Sequence, residues 1–173
     1  AEFLDSLGVD VISTSLGYIS FDDADMTHDY SDLDGKTCVA TIGAEIACSR
    51  GILCVNAAGN EGNSKFPYIG APADAKNVLT VGGVKLNGER ASFSSVGPTY
   101  DGRIKPDVMA YAYAVTVASP GNNFFEGNGT SYACPSLAGM AACLWQARRA
   151  KSAAEIREII KLSGNNYSNP NSE

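Results

Sequence analysis

The chain has 173 residues, 45% of them hydrophobic, and its 13 Lys and Arg against 19 Asp and Glu give a formal net charge of −6. That composition suffices for one domain with a sizeable core and excludes a disordered chain. The acidic balance excludes nucleic acid as a partner, because phosphate binding needs a basic patch, and no apolar run approaches the roughly 18 residues of a membrane-spanning helix.

In chain order, residues 1–7 read as the end of a helix stopped at Gly8, and residues 9–15 as a strand. The stretch from Asp22 to Asp34 holds six aspartates and the single histidine, His28. It predicts a solvated insertion whose last Asp caps a helix over 37–50, stopped at Gly51. An EF-hand reading fails: with Gly35 at the sixth position, Tyr30 and Thr41 fall where carboxylate ligands are required. Residues 52–58 form a continuous apolar run typical of a buried strand, residues 78–81 continue the sheet, and Asn87-Gly88 predicts the turn of a hairpin. Residues 115–118 add a further strand. Residues 131–150 then read as a helix rich in small residues, suited to close packing on a sheet. Ser152-Ala153-Ala154-Glu155 is a capping box for a last helix with Ile156, Ile159 and Ile160 on its apolar face. Residues 165–173 form a polar tail after a partial domain over 1–164. Alternation of helix and strand predicts an α/β fold with a mostly parallel sheet flanked by helices.

The five cysteines, Cys38, Cys48, Cys54, Cys134 and Cys143, include no Cys-x-x-Cys pair. They are therefore read as small packing residues, with no metal site.

Two segments carry chemistry. Gly127-Asn128-Gly129-Thr130-Ser131-Tyr132-Ala133-Cys134-Pro135 sets a serine at a glycine-softened turn before a helix, where free amides and the helix dipole can hold a negative oxygen. Pro135 falls near the first helical turn, where its missing N–H costs little. By itself, Thr-Ser before an apolar run is also an ordinary N-cap. The second segment, Ala57-Ala58-Gly59-Asn60-Glu61-Gly62, follows a buried strand, the place where ligands bind in parallel sheets, and an Asn there can direct its N–H at a reacting oxygen.

Together these segments resemble the subtilisin-like serine proteases. Asp10-Val11-Ile12-Ser13-Thr14-Ser15-Leu16-Gly17 resembles the family's substrate-binding strand, and Ser92–Pro98 with Gly102–Val108 resemble its framework. The resemblance implies a three-layer fold whose amino-terminal part is missing. It also implies a polypeptide substrate, Ser131 as nucleophile, Asn60 as oxyanion donor, and Ser15, Leu16 and Gly17 pairing with extended substrate. Ala57, Ala58 and Gly59 would wall a specificity pocket with room for a bulky residue, and Gly129 would leave the approach to Ser131 open. In this family the triad Asp and His lie upstream of the strand that here starts at Asp10, and neither an Asp-Ser-Gly nor a His-Gly-Thr box is present. The expectation is therefore a fragment that is inactive alone and self-associates through an unpaired sheet edge, with His28 outside the chemistry. No cofactor is required for catalysis, structural calcium stays open, and the implied location is secreted or cell-envelope associated. Two alternatives remain: a non-catalytic binding module of the same fold, and a serine-carboxyl peptidase, which Asn60 in place of Asp disfavours.

Overall fold

A computed structural model describes residues 1–171. A short helix α1 (Glu2–Ser6) leads into β1 (Val11–Thr14); helix α2 (Val39–Ser49) connects it to β2 (Leu53–Ala57), followed by β3 (Leu79–Val84) and β4 (Val108–Tyr111). A hairpin, β5 (Val115–Ser119) with β6 (Asn123–Gly127), precedes helices α3 (Thr130–Ala147) and α4 (Ala153–Leu162). The first four strands form one parallel sheet in chain order, with Val11 opposite Leu53, Val55 opposite Leu79, and Val81 opposite Val108.

The strand period of two builds the layers. Leu53, Val55 and Ala57 point to one face, where they pack with Leu79 and Val81 against Ala133, Cys134, Leu137, Ala138 and Ala141 of α3 and Ile156 and Ile160 of α4. Ile52 and Cys54 point to the other, meeting Ala44, Ala47 and Cys48 of α2. Each buried Val, Leu or Ile contributes about 1.5–3 kcal/mol. Alanines on α3 let it lie close to the sheet, and α3 packs against all four parallel strands.

Gly51 ends α2 as its position predicts. At φ +91 its N–H bonds to the Cys48 carbonyl (3.0 Å), while Ile52 N–H reaches Ala47 O (3.3 Å), closing the last turn. The start differs from expectation. Asp34 accepts hydrogen bonds from the Lys36 and Thr37 amides (2.9 and 2.8 Å) and the Thr37 hydroxyl, but helical turns begin only at Val39, so Asp34 caps the preceding turn. Other aspartates of the insertion also serve local amides: Asp23 accepts from Asp25 N–H and Asp32 from Asp29 N–H. Asn87-Gly88 forms the expected turn, with Lys85 N–H to Glu89 O at 2.8 Å, but it carries a single bridge, Val84 with Arg90. Strands β4 and β6 were not anticipated. Helix α3 stops at Ala147, where Arg148 N–H turns back to Trp145 O and the Trp145 indole donates to Lys151 O (2.8 Å). Residues 165–171 continue past α4 as turns; residues 172 and 173 of the polar tail lie outside the described residues.

Beneath β3 and β4 lies a buried charge cluster. Lys105, 2% exposed, donates to Asp107 Oδ2 (2.5 Å), Val78 O (2.8 Å) and Thr80 Oγ1 (3.1 Å), and Asp107 also receives Lys161 of α4 at 3.3 Å. Burial pulls the Lys105 ammonium below the ordinary lysine value, and Asp107 opposes that shift. Asp107→Ala would strand the ammonium, so we expect a loss of about 3–5 kcal/mol in denaturant unfolding; a loss within the range of an exposed pair, about 0–1 kcal/mol, would contradict this reading.

The capping box of α4 forms as predicted: Ser152 N–H donates to Glu155 Oε2 (2.9 Å) and Glu155 N–H to Ser152 Oγ (3.3 Å). Hydrogen bonding from Lys151, then from Ser152, holds the Glu155 carboxyl down from 4.5 to about 2. A carboxyl depressed by folding contributes stability above its unfolded pKa and loses it as the pH falls through the folded value. The melting temperature of Glu155→Gln should therefore lie below that of the wild type at neutral pH, and the two should converge between pH 4.5 and about 2.

Candidate active site

Ser131 sits on the second residue of α3, after Gly129 at the N-cap. It lines a cavity of about 410 Å³ together with Ser15, Leu16, Gly17, Ala57, Gly59, Asn60 and Thr130. Seven of the nine residues singled out from sequence thus share one cleft at the carboxyl ends of β1 and β2. Ala58 does not: the strand alternation turns it to the opposite side, where it is buried against Ile69 and Ala73. Gly129 is not part of the cavity wall, but a Cβ there would lie 3.5 Å from the Asn60 Nδ2.

Thr130 ties the two chemical segments together. Its N–H donates to Asn60 Oδ1 (2.9 Å), and its hydroxyl lies 3.1 Å from the same oxygen. That hydroxyl also accepts from Gly59 N–H (3.2 Å) and lies 3.2 Å from Gly59 O. The Asn60 carbamoyl is thereby held by its oxygen, and its Nδ2 has no protein partner among the described residues. Gly59 needs its glycine: φ is +113, and a Cβ would come within 2.7 Å of Ser95 Oγ, which already accepts from Glu61 N–H (3.0 Å).

The role of Pro135 differs from the sequence reading. Helix α3 starts at Thr130, which puts Pro135 in the second turn rather than the first. There its absent N–H is the one that would have bonded to the Ser131 carbonyl. That carbonyl instead accepts the Ser15 hydroxyl at 3.1 Å, so the proline frees a contact between α3 and the segment after β1. Ser131 is not the N-cap; Gly129 is. The Ser131 amide lies among the first four of the helix, which have no intrahelical carbonyl.

Leu16 is held through its backbone: the buried Asn56 donates from Nδ2 to Leu16 O (3.3 Å) and Ala57 O (2.8 Å). Sequence reasoning missed much of the remaining cavity wall, which includes Ile19, Ser20, Ser64, Phe66 and Gly70 beside Glu61 of the Asn60 segment. Neither 18–20 nor 63–70, the stretches these residues come from, contains a catalytic motif. Ile19 reaches this wall because Tyr18 N–H bonds to Ala71 O (2.8 Å). His28 is not among the lining residues. Its N–H bonds to Ile19 O, its ring meets Phe21 edge-on, and its Nδ1 lies 3.7 Å from Asp32. Cys134 lies under the site, fully buried, with its thiol 3.4 Å from Val55 O, as a packing residue would be. Among the described residues no group of three or more His, Cys, Asp or Glu side chains is arranged to hold a metal.

A serine at the start of a helix thus shares a cleft with a strand-end Asn in a three-layer, parallel α/β fold. The Subtilase family matches this chain over residues 2–173. Subtilisin DY of Bacillus licheniformis is 36% identical over 160 residues, covering 92% of this chain and 51% of its own length. Subtilisin amylosacchariticus of Bacillus subtilis subsp. amylosacchariticus is 34% identical over 161 residues, covering 92% and 37%. Among solved structures, the self-cleaved protease domain of PatA superimposes with a TM-score of 0.73 at 27% identity, over 96% of this chain and 58% of that one. The chain belongs to the subtilase family. It spans about half, or less, of the length of these curated relatives.

Thr130→Val keeps the shape of this junction and removes its hydroxyl, leaving Gly59 N–H without its acceptor. Denaturant unfolding should register a loss of about 1–3 kcal/mol. Ser131→Ala, which deletes a hydroxyl with no protein partner among the described residues, should stay within about 0.5 kcal/mol.

Proposed function

We propose that this chain carries the nucleophile and the oxyanion donor of a serine endopeptidase of subtilisin type. One observation supports the reading above others: Asn60 is fixed through its oxygen by Thr130, the neighbour of Ser131, with its N–H group left for a ligand oxygen in the same cavity. Ser131 attacks a peptide carbonyl; the oxygen that becomes negative is received by the Asn60 Nδ2 and the Ser131 backbone N–H at the positive end of α3. The proton of Ser131 goes to a histidine oriented by an aspartate. Both come from sequence outside these 173 residues, in keeping with curated relatives of whose length the match covers 51% and 37%. Ser15, Leu16 and Gly17 pair with the extended polypeptide substrate, and Ala57 and Gly59 wall the pocket for one of its side chains. This chemistry calls on no cofactor.

The chain on its own is then inactive, because a serine without a positioned base is a poor nucleophile. It also self-associates: β1 has one unpaired edge, and Val39, Ile42 and Ile46 form an exposed apolar stripe at helical spacing on α2, 80, 44 and 54% exposed. No helix among the described residues is long and apolar enough to cross a membrane, and the subtilisin relatives support a secreted or envelope-associated protein.

In the complete protein, Asn60→Ala should lower kcat on the order of 100-fold with KM little changed, a scale established with subtilisin rather than with this chain. An effect confined to KM would reject the oxyanion role. A fluorophosphonate probe should label Ser131 rapidly in the complete protein and slowly in the 173-residue chain, which should also run larger than a monomer on sizing. Rapid labelling of a monomeric 173-residue chain would overturn the assignment of the base to outside sequence.

A further inference from the structure

Three of the five cysteines, Cys38, Cys134 and Cys143, have packing or surface positions that require nothing more, but Cys48 and Cys54 share one site. Cys48 lies in the last turn of α2 and Cys54 on β2, with the tight Gly51 turn between them. Both belong to the small cluster between helix and sheet that includes Ala44, Ala47, Ala75 and Val78. The Cys54 thiol lies 3.9 Å from Ala44 O, the carbonyl one helical turn before Cys48 and the acceptor that the α-helix assigns to Cys48 N–H. Cys54 is buried at 7% exposure, whereas Cys48 is half-buried.

The surroundings divide the pair. Hydrogen bonding from Cys54 lowers the Cys48 thiol; burial and Glu45 work against that, and Arg157 of α4 adds to it. The same interaction, reinforced by burial, raises Cys54. Glu45 is already engaged by Asn77, at 2.7 Å to its N–H and 2.6 Å to its Nδ2, and Arg157 donates to Asn77 O and Oδ1. By contrast, burial raises Cys38 to about 12 and also raises Cys134. A more acidic, partly exposed thiol beside a second, buried thiol is the arrangement of a redox-responsive pair.

We propose that Cys48 and Cys54 form a thiol–disulfide exchange site, Cys48 meeting a low-molecular-weight disulfide such as oxidised glutathione and Cys54 resolving the adduct. The Cys48 thiolate attacks one glutathione sulfur, forming a mixed disulfide and releasing the other glutathione as its thiolate. Cys54 then attacks the Cys48 sulfur, its proton passing to the departing glutathione sulfur, so that the intramolecular disulfide forms and the second glutathione leaves as its thiol. Two protein thiols are oxidised and one glutathione disulfide is reduced to two thiols. The product pins the end of α2 to the strand that leads into Asn60.

The test is to incubate the protein, as produced in full, with oxidised glutathione near neutral pH, alkylate the remaining thiols, and map peptides by mass spectrometry. The wild type should yield a Cys48–Cys54 disulfide peptide lighter by two hydrogens. The exposed Cys143 is the internal reference for reagent access. Cys54→Ser should retain glutathione on Cys48, and Cys48→Ser should leave Cys54 free. The wild-type mapping depends on no variant. If Cys143 carries glutathione while Cys48 and Cys54 both remain alkylable, or if Cys54 pairs with another cysteine, the proposal is overturned.

Discussion

The structure depends on one buried hydroxyl. Thr130 is fully enclosed, and it meets Gly59 and Asn60 through both its hydroxyl and its amide. It thereby joins the start of α3 to the end of β2, two segments about seventy residues apart in sequence. A hydroxyl can give one hydrogen bond and accept two, so a single atom serves Gly59 N–H together with Asn60 Oδ1 or Gly59 O. No apolar side chain could make that connection, because the backbone at the strand end would be left without partners.

Everything around the junction lets α3 come close enough for it to form. Alanines line the face of α3 that lies on the sheet, and Gly59 admits Ser95 where a side chain would collide. Pro135 contributes by subtraction. By withholding an amide from the Ser131 carbonyl it leaves that oxygen for Ser15, so the helix is bonded to the segments after both β1 and β2. The buried Lys105–Asp107 pair fixes the distant end of the same core, reaching β3 through Thr80 and α4 through Lys161.

Much of this was legible in the sequence because the signals were local. Gly51 after an apolar helix and Ser152-x-x-Glu155 are written in adjacent residues, and the long apolar run at 52–58 has few alternatives to a buried parallel strand. The α/β class followed from the alternation of helix and strand, whereas the meeting of Ser131 with Asn60 came from motifs that matched a family, not from periodicity. What escaped was set by distant partners. Val108–Tyr111 is too short to announce itself as a strand and becomes one because Val81–Val84 lies beside it. Ala58 was grouped with Ala57 by adjacency, while the pleat sends them to opposite faces. The place of Pro135 depended on where α3 begins, and Asn60, reached only through tertiary contact, decides that.

The order of the sheet has a consequence for how the molecule comes together. Because β1, β2, β3 and β4 lie side by side in the order in which they are synthesised, each new strand can add to the edge left by the last, and no strand waits for a later one to be inserted. Helix α3 arrives after all four and covers them together. The cleft that holds Ser131 is therefore a late product of folding, assembled only once the sheet beneath it is complete, and a chain released before residue 130 would carry the four strands without Ser131 and without the helix that covers them.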